Sequence, residues 1–168
     1  MTVTATDSTN ASGSAGFSWN VATSGGGSAI VNGGFETGNL TGWTGTGSAA
    51  ANTAARHTGS YGAQFGSTSP GGDSSIAQTF TAPAGSSKLY FWYSNTCPDT
   101  VTYDWVTATL KDNTTGVTTT VLAKTCAATA TWANKTATVT PGHSYTLTLS
   151  NHDDNYPGPR PTPTTTTT

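Results

Sequence analysis

The chain has 168 residues, of which only 8% are charged, against about 25% in an ordinary soluble domain, and its formal net charge is −2. Six Lys and Arg, scattered along the chain, make no basic stripe to neutralise phosphates, so the composition argues against a nucleic-acid partner. No window approaches the roughly 18 consecutive apolar residues of a membrane-spanning helix, which argues against a membrane partner of that kind.

Thr, Ser, Gly and Asn stand where Lys and Glu normally would, and Leu and Met are scarce, so the chain reads as all-β. Residues 1–23 contain two alternating stretches, Thr2 to Thr6 and Ala15 to Val21, around the turn-forming Asp7-Ser8-Thr9-Asn10. They read as one β-hairpin. The opening residues lack the basic start and apolar middle of a signal peptide. Residues 24–28, Ser24-Gly25-Gly26-Gly27-Ser28, read as a flexible linker.

The body, residues 29–156, offers eight strands: Ile30-Val31, Tyr61 to Phe65, Ser75 to Phe80, Ser87 to Ser94, Tyr103 to Leu110, Thr118 to Leu122, Ala133 to Val139 and Ser144 to Ser150. Short strands with turn clusters between them predict a jelly-roll β-sandwich, with Phe35, Trp43, Phe65, Phe80 and Phe91 as its large core groups. Residues 157–168, Pro157-Gly158-Pro159-Arg160-Pro161-Thr162-Pro163 and five Thr, cannot bury enough apolar surface to fold and read as a disordered Pro/Thr linker. Such a linker implies a neighbouring module. Cys97 and Cys126, outside any metal or redox spacing, read as one disulfide and hence an oxidising, extracellular setting, with a buried pair of free thiols as the alternative.

Three stretches carry a resemblance. Val31-Asn32-Gly33-Gly34-Phe35-Glu36, followed by Gly42-Trp43, then His57-Thr58-Gly59-Ser60-Tyr61-Gly62-Ala63, then Leu89-Tyr90-Phe91-Trp92-Tyr93, together resemble the galactose-binding-like jelly rolls. That group includes carbohydrate-binding modules of secreted bacterial hydrolases. The hairpin of residues 1–23 resembles the end of an immunoglobulin-like repeat of secreted bacterial proteins. The resemblance implies a secreted, extracellular accessory module with a polysaccharide or other glycan as partner and a tethered catalytic domain. It equally accommodates an accessory domain of a secreted peptidase, or a structural or adhesion spacer. It also implies a structural calcium held by Glu36, although the chain turns into the linker where relatives continue into a further strand with an acidic ligand. The last strand is therefore expected to be missing and the calcium is open; a turn carboxylate bonded to backbone amides is the alternative for Glu36.

Candidate binding residues follow from strand parity. Leu89, Phe91 and Tyr93 share one face of their strand and send Tyr90 and Trp92 to the other; Val106, Ala108 and Leu110 read as core and send Tyr103 and Trp105 outward. Aromatic rings stack on the C–H face of a sugar, so Tyr90, Trp92, Tyr103 and Trp105 form the expected platform if both strands face the same way, with Asp104 as polar partner. Core packing competes for each ring. His152-Asp153-Asp154-Asn155-Tyr156 reads as a plain acidic turn, with sugar or metal binding as the alternative. No G-x-S-x-G, H-E-x-x-H, phosphate loop or dinucleotide fingerprint occurs, and Glu36 is the sole Glu of the body, so no catalytic residue is expected.

Overall fold

The computed structural model describes residues 29–66, 72–97 and 100–154. The expected hairpin, both linkers, and Asp99, Asn155 and Tyr156 lie outside the described residues. Within them the chain is all-β, with nine strands and no helix: β1 Thr44–Thr46, β2 Ala49–Asn52, β3 Gly62–Phe65, β4 Ser74–Thr81, β5 Lys88–Tyr93, β6 Trp105–Asp112, β7 Thr118–Thr125, β8 Ala133–Thr138 and β9 Ser144–His152.

Period-two alternation generates the main sheet. In β4, Ser74, Ile76, Gln78 and Phe80 point inward and alternate with outward polar residues; in β9, Tyr145, Leu147 and Leu149 do the same. These strands pair antiparallel along their whole length, Ile76 opposite Leu149 and Phe80 opposite Tyr145. With β6 on the far side of β9, they form a five-stranded sheet in the order β1-β4-β9-β6-β7. The other layer consists of two separate ribbons, β2–β3 and β5–β8, which are not hydrogen-bonded to each other. Leu89 and Phe91 of β5 and Ala137 of β8 pack against Ile76, Ala108, Leu110 and Leu147 of the sheet. Full burial of each large apolar chain contributes about 1.5–3 kcal/mol, which is what holds the layers together. Placement of β4, β6 and β9 in one layer and β5 and β8 in the other is the alternation expected of a jelly-roll sandwich. The question of a missing last strand falls beyond residue 154; β9 itself is an inner strand, flanked by β4 and β6.

Two expectations change. Ile30-Val31 is not a strand: the buried Gln78 amide takes over the role of a partner strand, accepting from Val31 N (2.7 Å) and donating to Val31 O (2.9 Å). That satisfies a backbone segment which covers the core without joining a ladder. Strands β1 and β2 add to the expected set: β1, Thr-Gly-Thr, is only three residues long and interrupted by Gly45, and β2, Ala-Ala-Ala-Asn, carries little β-propensity, so both are held by pairing with β4 and β3.

Cys97 and Cys126 form a disulfide with Cα atoms 5.2 Å apart. It joins the segment after β5 to the segment after β7, reinforced by Cys97 N donating to Ala127 O at 2.8 Å.

Candidate functional site

The split in the second layer opens a cleft of about 900 Å³. Residues of β3 and β5 line it, and it reaches down to Ile76 and Leu149 of the main sheet. A volume in this range suits a small-molecule or oligomer ligand.

The rim begins with parity in β5. Leu89 and Phe91 are buried, Tyr93 packs against the core, and Trp92 stands out with 39% of its surface exposed. Trp92 pairs with Asn134 of β8, and Trp132 lies two residues before Asn134, one alternation step back from it just before the start of that strand. It is likewise 39% exposed. The loop between β2 and β3 delivers His57 against both indoles: its ring stacks on Trp92 (centroids 4.5 Å, 19° between planes) and lies 4.7 Å from Trp132 at 52°.

Glu36 explains why that loop is held in place. Its carboxylate accepts from Ser60 N with both oxygens at 3.1 Å and from Tyr61 N at 3.3 Å. Gly59 has left-handed backbone, φ +69°, and a Cβ there would clash with Glu36 Oε1, so only glycine lets the carboxylate approach. Asn52 Oδ1 accepts from Ala55 N at 2.8 Å and fixes the other end. The oxygens of Glu36 are thus occupied by amide donors, as in a turn carboxylate. Among the described residues it joins no cluster of three or more metal-ligand side chains. The acids that do gather are Asp104, Asp153 and Asp154, with ligand atoms within 4.8 Å of one another.

The expected platform is assembled in part: Tyr90, Trp92, Trp105 and Asp104 all line the cleft, but from strands of different layers, and Tyr103 is not among its lining residues. Tyr90 and Trp92 project from the β5–β8 ribbon. Trp105 projects from the five-stranded sheet, where it is half-buried beside His152 (centroids 5.1 Å, 23°) with Lys124 Nζ 3.7 Å above its ring. Tyr103 is half-buried in the turn before β6. Asp104 is 5% exposed and accepts from Asp154 N at 3.2 Å, so it faces inward instead of standing at an open rim.

Sequence reading does not single out Trp132, and His57 enters it only as the head of a resemblance motif, with no binding role. Extending the β8 alternation back by one position would have put Trp132 on the face of Asn134 and Thr136. Nothing local in His57-Thr58-Gly59 announces that its imidazole meets two indoles. The other histidines serve elsewhere: His143 Nδ1 lies 2.8 Å from Asp112 Oδ2, and His152 Nδ1 lies 2.6 Å from Asp73 Oδ1. Burial would raise the Asp112 carboxyl, but hydrogen bonds from His143, Thr115 and Thr114 outweigh it and hold the pKa at about 2.

Neither a family model nor a curated protein matches this chain. Among solved structures, it is similar to the enzymatically active domain of tailspike protein 4 of bacteriophage CBA120, with a TM-score of 0.51 and 14% identity. The match covers 74% of this chain and 19% of that one, and at this identity it is a likeness of fold.

Proposed function

We propose that the sandwich is a non-catalytic carbohydrate-binding module of a secreted, extracellular enzyme, tethered to a catalytic domain that acts on the same glycan. The observation that carries the reading is the Trp92–His57–Trp132 assembly at the mouth of the cleft. Two large indoles left 39% exposed are costly to solvate and are the usual surface for stacking a pyranose ring. A non-catalytic role is supported by how two of the three cleft acids are used: Glu36 serves the 59–61 turn and Asp104 serves Asp154 N. Each stacked ring contributes about 1 kcal/mol, so the isolated module binds weakly and gains strength through its tether.

Affinity electrophoresis against a panel of plant, fungal and bacterial polysaccharides tests this. At least one should retard the protein, and Trp92→Ala or Trp132→Ala should clearly reduce the retardation while leaving the fold intact. Loss of binding only on Trp105→Ala would transfer the platform to the other layer. Indifference to every polysaccharide would favour a peptidase accessory domain or a spacer.

A further inference from the structure

Two buried amide atoms without partners lie in the cleft. Among the described residues Asn95 Nδ2 and Asn151 Oδ1 have no hydrogen-bond partner, and both residues line the cleft. Buried polar groups are almost always paired, and leaving one unpaired costs about 1–3 kcal/mol. Asn151 is built in from two sides. It sits in β9, opposite Ser74 of β4 and Val106 of β6, and Gly66, at φ +94°, leaves it room: a Cβ at position 66 would come within 2.5 Å of Asn151 Oδ1. Asn95 lies just beyond β5, three residues after Trp92.

An unpaired amide N–H and an unpaired amide oxygen complement hydroxyl groups, which donate and accept at once. The cleft's charge narrows the choice further. Glu36, Asp104 and Asp153 line it, no Lys or Arg does among the described residues, and the Lys124 ammonium beside it is engaged over the Trp105 ring, so a uronic-acid chain would meet carboxylates with no lining cation to offset them. Ring geometry sets the shape. Trp92 lies 19° and Trp132 52° from the plane of His57, and unequal angles to a common plane mean that the two indoles cannot be coplanar. A flat crystalline surface could not rest on both.

Resting on the carbohydrate-binding reading, we infer that the ligand is a single soluble chain of neutral sugar laid in the cleft between the β2–β3 and β5–β8 ribbons, with Asn95 and Asn151 as its hydroxyl-reading residues. Calorimetric titration of the full chain with soluble neutral oligosaccharides (xylo-, cello-, manno- and chito-oligomers) and oligogalacturonate tests it, beside sedimentation with microcrystalline cellulose and chitin. At least one neutral oligomer should bind, with oligogalacturonate at least about 10-fold weaker. Asn95→Ala and Asn151→Ala should each weaken neutral binding by about 5-fold, with an unchanged or higher melting temperature, because the alanine removes an unpaired group. Asn95→Ala lies outside every strand and serves if Asn151→Ala does not fold. Wild-type affinity in a folded variant, or weakening matched by a lower melting temperature, would overturn the role of the asparagines. Binding to the solids but to no soluble oligomer would overturn the single-chain ligand and leave the carbohydrate reading standing. Binding to nothing in either assay would overturn both.

Discussion

Trp92 and Trp105 are both indoles on β-strands, each stacked against a histidine, yet their surroundings give them opposite characters. The neighbours of Trp105, His152 on β9 and Lys124 on β7, belong to the same sheet and are set by its ladder. The β6–β7 register slips between Val106 and Ala108, so that Ala123 and Lys124 stand opposite the single residue Thr107, and this bulge brings the ammonium over the ring. Cation and imidazole cover Trp105 and make it a strut. Trp92 receives its histidine from a loop of a separate ribbon, and its ring stays exposed beside Trp132. An aromatic covered by its own sheet stabilises; one met across a gap between ribbons is left available to a ligand.

The largest expected effect bears on the strut side. Cys97 and Cys126 are 29 residues apart and close a loop containing β6 and β7, so Cys97→Ser should lower stability by about 3–4 kcal/mol in chemical denaturation. A loss under about 1 kcal/mol would mean that the β6–β7 hairpin holds its ends without the bridge. Next comes the loop that presents His57: Gly59→Ala puts a Cβ against Glu36 at a left-handed position and should cost about 2 kcal/mol while also weakening glycan binding. If binding were unchanged at a temperature where the variant is folded, the placement of His57 would not matter to the site.

The direct contrast is Trp92→Ala against Trp105→Ala. The first should weaken binding by about 5-fold with little change in melting temperature. The second should leave binding intact and cost about 1 kcal/mol of stability through loss of the Lys124 and His152 contacts. A reversal of these two patterns would exchange the roles assigned to the layers. The smallest effect is a pH term away from both tryptophans. Asp112 is depressed from 3.8 to about 2 in the folded chain, so its contribution to stability is present above pH 3.8 and disappears as pH falls towards 2. Melting temperatures of the wild type and Asp112→Asn should therefore converge over that interval. A gap that stayed constant from pH 5 to pH 2 would show that the Asp112 charge contributes nothing.

Sequence by itself determined what depends on neighbours along the chain. The scarcity of helix formers predicted an all-β protein, and alternation in Leu89 to Tyr93 and Val106 to Leu110 put the right side chains in the core, since residues two apart in a strand share a face whatever it packs against. Isolation of the two cysteines predicted their pairing. Parity says which face a ring occupies but not which layer owns the strand, so Tyr90 and Trp92 could not be separated from Tyr103 and Trp105 until the pairing of β5 with β8 and of β6 with β9 was known. Alanine-rich β2 has no local signal and exists because β3 lies beside it. His57 reaches Trp92 and Trp132 only because Glu36, more than twenty residues earlier, holds the 59–61 turn, and the cleft exists only because two ribbons of one layer do not pair. Those arrangements are long-range, set by packing and register across the sandwich, and no short stretch of sequence contains them.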